Sequence, residues 1–180
     1  RDNSMRALLE RPQKVIALRA LLERPQGVIA LMDSGTSFDD IAKIAAGDPN
    51  ALGFVLDHTT GFQRLRSGNE AQGIFPVSVE ELAHLGQGNG ESLKLVLEHP
   101  DSVRSYMSRG VSFSAIAEIG CGAYRDNSMR ALLERPQKVI ALMDCGTSFD
   151  HIAQIAIDNH NELKRMLDNV RSEGRSRPRG

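Results

Sequence analysis

GVSFSAIAEIGCGAYRDNSMRALLERPQKVIALMDC, residues 110–145, holds the complete pattern of this chain. Ser112 precedes Phe113, Ile116 and Ile119, whose helical spacing predicts a short helix that Gly120 and Gly122 break. A polar loop leads to Asp126 and Asn127, either able to cap a helix, and Met129, Leu132 and Leu133 then form a second apolar face. Pro136 interrupts it. A prolyl ring is tolerated in a first helical turn, so Val139, Ile140, Leu142 and Met143 continue on a kinked or a separate helix that Gly146 ends.

The same grammar recurs. Ser37, Ser78, Ser112 and Ser148 open the segments SFDDIAKIA, SVEELAHLG, SFSAIAEIG and SFDHIAQIA, at spacings of 41, 34 and 36 residues. Each is followed by a second apolar triplet: Leu52, Val55, Leu56; Leu93, Val96, Leu97; Met129, Leu132, Leu133; Leu163, Met166, Leu167. This predicts an all-α array of helix-loop-helix repeats of about 34 to 41 residues. The expected organisation is partial second-helix segments over 1–34, a repeat with an insertion over 35–77, repeats over 78–109 and 110–145, a terminal repeat over 146–169 and a basic, mobile tail over 170–180. Within 35–77, the stretch TTGFQRLRSGNEAQGIFPV from Thr59 to Val77 reads as an insertion or flexible joint in which Phe62 and Leu65 could still pack.

Residues 1–18 recur unchanged at 125–142, and residues 19–45 recur at 130–156 with four differences: Gly27/Lys138, Ser34/Cys145, Asp40/His151 and Lys43/Gln154. Near-identity over such lengths means recent duplication or deliberate assembly, and a start in mid-unit is expected of a segment of a longer array.

An aromatic share of only 4% and the absence of Trp suit layers of Leu, Ile, Val and Ala. With 22 basic against 23 acidic residues, the chain offers neither a strongly basic nucleic-acid surface nor an acidic solvating one. No apolar run approaches the roughly 20 residues of a membrane span, and no basic-then-apolar leader is present, so the expectation is a soluble intracellular product without a membrane partner. Cys121 and Cys145 lack zinc-ligand spacing and are expected to be free, small packed side chains in a reducing compartment. No phosphate loop, nucleophile elbow, HExxH or CxxC occurs. The histidines lie in different settings: His84 and His151 on first helices, His58 and His99 on second helices, His160 in a loop. No enzymatic activity, cofactor, metal or small-molecule substrate is therefore expected.

What varies between copies is the loop joining the two helices: AGDPN, QGNGE, CGAYRDN and IDNHN. In a stacked array equivalent loops line one edge, where they serve as turns or as a row of readers.

The order Ser, Ile-Ala-x-Ile-Ala/Gly, a Gly/Asn loop, Leu-x-x-Val-Leu and a bend resembles the repeats of transcription activator-like effectors and their relatives in endosymbiotic and marine bacteria. SFDDIAKIA followed by ALGFVLD carries the likeness most closely, and AIAEIGCGAYRDNSMRALL is similar to the degenerate repeats that precede the main array in plant-pathogen members. The resemblance implies a right-handed superhelical solenoid around double-stranded DNA, each loop entering the major groove. The base-reading residues it implies are Gly47 and Asp48, Gly88 and Asn89, Gly122 and Ala123, Asp158 and Asn159. Asn can hydrogen-bond base edges, Gly or Ala leaves room for a thymine methyl, and Asp accepts from a cytosine amino group. Second-helix N-termini would face phosphates. The Gly-Gly-Lys-Gln segment of plant-pathogen members is absent, and Lys94, Arg125, Arg130, Lys164 and Arg165 stand just after the loops to supply the missing cation. Membership would further imply a bacterial effector that acts in a host nucleus. The competing expectation is a solenoid that binds a protein partner.

Overall fold

The computed structural model describes residues 12–47 and 50–170. Asp48, Pro49, the first eleven residues and the basic tail beyond Val170 lie outside the described residues. The described chain is all-helical and repeat-like, with helices α1 (Pro12–Glu23), α2 (Pro25–Asp33), α3 (Phe38–Gly47), α4 (Ala51–Asp57), α5 (Thr59–Arg66), α6 (Val79–Gly88), α7 (Gly90–Glu98), α8 (Pro100–Met107), α9 (Phe113–Ile119), α10 (Arg125–Glu134), α11 (Pro136–Asp144), α12 (Phe149–Asp158) and α13 (His160–Asn169).

Each serine is a helix N-cap. The hydroxyls of Ser37, Ser78, Ser112 and Ser148 accept from the backbone N–H groups of Asp40, Glu81, Ala115 and His151 at 3.1–3.2 Å. Ser78 and Glu81 complete a capping box, since the Ser78 N–H donates to Glu81 Oε2 at 2.8 Å.

The expected bent second helix is broken into two at every bend. Arg24, His58, His99 and Arg135 leave the helical region at φ between −138° and −121° and ψ between 44° and 58°. The carbonyl of each still receives the first bond of the following helix, from Val28, Phe62, Val103 and Val139. The break therefore turns the chain without orphaning the backbone. Proline is not required for it, because His58 has nearly the same conformation and Thr59 follows it. Third helices α2, α8 and α11 end alike, on left-handed Gly35, Gly110 and Gly146 (φ 84° to 95°). In each case the next N–H reaches five residues back, to the carbonyls of Leu31, Tyr106 and Leu142.

The stretch expected as an insertion or joint from Thr59 divides. Its first half is the third helix α5, with Phe62 and Leu65 buried. Its second half closes on itself: Asn69 and Ile74 exchange two backbone hydrogen bonds at 2.7 and 3.0 Å around a 3₁₀ turn, Glu70–Gln72. Arg104 pins it from α8 by donating to the carbonyls of Arg64 and Ser67. The Asn69–Ile74 pairing is an isolated bridge, and the described residues contain no strand.

Like helices pack on like. α3, α6, α9 and α12 form one column of first helices, α4, α7, α10 and α13 a second, and α2, α5, α8 and α11 a third. Between the columns runs one core. First helices contribute Ile41, Ile44, Leu82, Leu85, Ile116, Ile119 and Ile152; second helices contribute the predicted triplets, of which only Met166 is half-exposed. Fully burying one such side chain is worth about 1.5–3 kcal/mol, so the layers outweigh any single surface pairing.

α1 departs from the scheme. PQKVIALRALLE joins a third-helix sequence directly to a second-helix one, and with no glycine or cap between Leu18 and Arg19 it continues as one helix along α3.

Candidate nucleic-acid interface

The corners between first and second helices lie next to one another through their flanking turns. Gly86 on α6 faces Ala51 at the start of α4, and a Cβ on Gly86 would stand 3.3 Å from the Ala51 methyl. Gly120 after α9 faces Ser92 of α7 in the same way, at 3.0 Å. One unit further, the buried Ser128 hydroxyl of α10 donates to the Ala156 carbonyl of α12 at 2.7 Å. The start of each second helix thus touches the end of the next first helix, which brings the corners into one row.

The expected readers occupy those corners with structural employment. Gly47 and Gly88 are the last residues of α3 and α6; Asp48 lies outside the described residues. Asn89 caps α7: its carbonyl oxygen accepts from the Glu91 N–H at 3.1 Å, and its amide donates to Ser92 Oγ at 3.0 Å and to Asp126 Oδ1 of the next unit at 2.5 Å. Asn159 caps α13 by accepting from the Glu162 N–H at 3.2 Å. Gly122 is half-buried beside Ile157, 3.2 Å from where a Cβ would sit. Ala123 is exposed, and so is Asp158, which accepts from the Gln154 amide at 2.7 Å.

Among the expected cations, Lys94, Arg130 and Lys164 share one register, each four residues before the acidic residue Glu98, Glu134 or Asp168 near the second helix's end. Because second helices stack on second helices, the three form a column. Arg19, four before Glu23 on α1, has the same register, and its signal in the sequence was the repeated RALLER; Gly53 holds the place on α4. Arg125 opens α10 and Arg165 follows Lys164, both off the column and exposed. The cations are interleaved with carboxylates: Lys94 and Arg130 approach Glu91 at 3.6 and 3.7 Å, Arg130 also Glu134 at 3.6 Å, Arg165 Glu162 at 2.9 Å and Arg19 Glu23 at 2.7 Å. These are surface pairs, screened by solvent, and each contributes little to stability.

A second set of charges was missed at the bends. Glu23-Arg24, Asp57-His58, Glu98-His99 and Glu134-Arg135 place an acid before a base at each break. Arg24 reaches Asp57 at 2.5 Å, His58 reaches Glu98 at 3.7 Å and Arg135 reaches Asp168 at 2.8 Å, so the base of one bend holds the acid of the next second helix. Lys43 does the same between first helices, reaching Glu80 of the next unit at 2.6 Å. The hydrogen bond to Glu80 raises the Lys43 pKa and lowers that of Glu80.

His58 and His99 stand at the bends, not on second helices, and His160 opens α13 where a loop was expected. Both cysteines are exposed, not packed. Among the described residues no group of His, Cys, Asp or Glu has the geometry to hold a metal ion, and no helix is long and apolar enough to cross a membrane. Compared with protein-family models, curated proteins and solved structures, the chain matches none.

Proposed function

We propose that this chain is a DNA-binding solenoid, wound right-handed around the duplex, with its interhelical corners toward the major groove and its second-helix N-termini toward phosphates. The observation that carries the reading is the row of adjacent corners, beside which Lys94, Arg130 and Lys164 recur in register. Exposed Ala123 and Asp158 are the residues best free to meet base edges, whereas Asn89 and Asn159 serve as caps that fix the corners. With most cations already facing carboxylates, binding is of modest affinity and depends on exchanging those partners for phosphate.

A second reading, a solenoid that grips a protein, is favoured by the same pairing of surface cations. Salt separates the two. A mobility-shift titration with random-sequence duplex at two salt concentrations should show binding that weakens linearly in log salt; absence of a shift at low salt would remove the DNA reading.

A further inference from the structure

The duplicated sequence places the same side chains in two settings. Leu133 and Ile140 are 1% and 9% exposed, while their counterparts Leu22 and Ile29 are 83% and 45% exposed. Val15 and Leu18 continue the open face along α1, and Met32 along α2. Five large apolar side chains thus stand exposed on two consecutive helices, the composition that marks an interaction surface.

The buried copy shows what chemistry covers such a face. α8 lies over the last turn of α10 and along α11. Its Ser102 hydroxyl donates to the Leu133 carbonyl at 2.7 Å, and its Tyr106 hydroxyl, one helical turn later, donates to the Leu132 carbonyl at 2.5 Å. Tyr106 is itself fully buried and packs on Phe149 with ring centroids 5.5 Å apart and planes tilted by 45°. The open copy has the same residues, Leu21 and Leu22, before the same break, with Arg24 in nearly the backbone conformation of Arg135.

We infer that the α1–α2 face is the docking surface for a further repeat unit, whose third helix carries a serine and a tyrosine one turn apart as α8 does. A second copy of this chain is the less complementary occupant: its own α8 is already engaged, and α11, the third helix at its far end, carries Lys138 and Leu142 where α8 carries Ser102 and Tyr106. The inference is independent of the DNA reading, since it concerns the stacking direction and not the corners.

The probe is a synthetic polypeptide with the sequence of residues 78–110, titrated into the full chain and followed by amide hydrogen exchange. Slowed exchange around Leu22 and Ile29 is expected, with at least a tenfold loss of affinity for Leu22→Lys in the chain or for Ser102→Ala with Tyr106→Phe in the probe. The same unit is also placed in cis, ahead of Pro12 in place of residues 1–11, so that a probe that fails to fold alone does not decide the matter. In that extended chain Leu22→Lys should lower the unfolding midpoint, although it leaves the parent's midpoint unchanged. A neutral Leu22→Lys in the extended chain would overturn the inference. So would concentration-dependent dimerisation that Leu22→Lys abolishes, which assigns the face to a second copy. Protection of Leu22 that disappears when residues 1–11 are deleted would equally overturn it, by assigning the face to that segment.

Discussion

Leu22 and Leu133 belong to the same string, RALLERPQ, yet one is open to solvent and the other is sealed. In both copies RALLE ends a helix, the chain breaks at the arginine and a third helix begins with proline, so that much is local. What differs is the neighbour: α8 stands against α10 and α11, and nothing equivalent among the described residues stands against α1 and α2. Burial of a repeat face is therefore a property of the stack, while its helices are a property of the unit.

The largest effect that could break this comparison is truncation of the two leucines. Leu133→Ala should cost about 2–5 kcal/mol, as for a core leucine whose site cannot collapse, whereas Leu22→Ala should stay within about 0.5 kcal/mol. Urea unfolding measures both, and equal losses would mean that the two settings do not differ in solution.

The third residue of each third helix tests how closely units stack. Gly61 sits where a Cβ would come within 1.9 Å of the Leu97 carbonyl oxygen, and Ser102 uses the equivalent place to bond the Leu133 carbonyl. Gly61→Ala should cost about 1–3 kcal/mol by overpacking, while Gly53→Ala, with nothing within 4 Å, should gain up to about 1 kcal/mol from helix propensity. A thermal melt in which both glycines respond alike would deny the close approach.

Ser128→Ala sharpens the comparison further, because Ala17 stands two residues before the RALLER of α1, as Ser128 stands before that of α10. Loss of the buried hydroxyl's bond to Ala156 leaves that carbonyl one partner short, and about 1 kcal/mol should be lost in denaturant titration. No loss would show that the serine is replaceable at the row of corners.

The smallest effect belongs to the bend. His58 breaks without proline, so Pro136→Ala should preserve both the break at Arg135 and the circular-dichroism signal, with stability changed by about 0.5 kcal/mol or less. A clear gain in helical signal would restore proline as the cause.

Much of the fold was legible because its signals are short-ranged. Ser78 and Glu81 announce a capping box, Gly146 announces a helix end, and the apolar triplets announce the buried faces. The stretch from Thr59 to Val77 reads as an insertion or joint because it carries three glycines and a proline, and the packing of Phe62 and Leu65 makes its first half a helix. Asn89 and Asn159 read either as base readers or as turn residues that supply caps, and the folded corners show both capping, with Asn89 also donating to Asp126 of the next unit. The acid-base dipeptides at the bends were present in the sequence, but their partners lie 33 residues away for Arg24 and Arg135.

The amino-acid order alone determined where the first helices start, which faces are apolar and with what period they return, because those choices rest on hydrogen bonds and side-chain spacings within about five residues. Only the tertiary structure decided that each bend is a break, that the fused α1 crosses the junction at Leu18 and Arg19 without a corner, and that Leu133 is inside while Leu22 is outside. Those outcomes depend on side chains and carbonyls brought together from successive units, and a string read one unit at a time does not contain its neighbour.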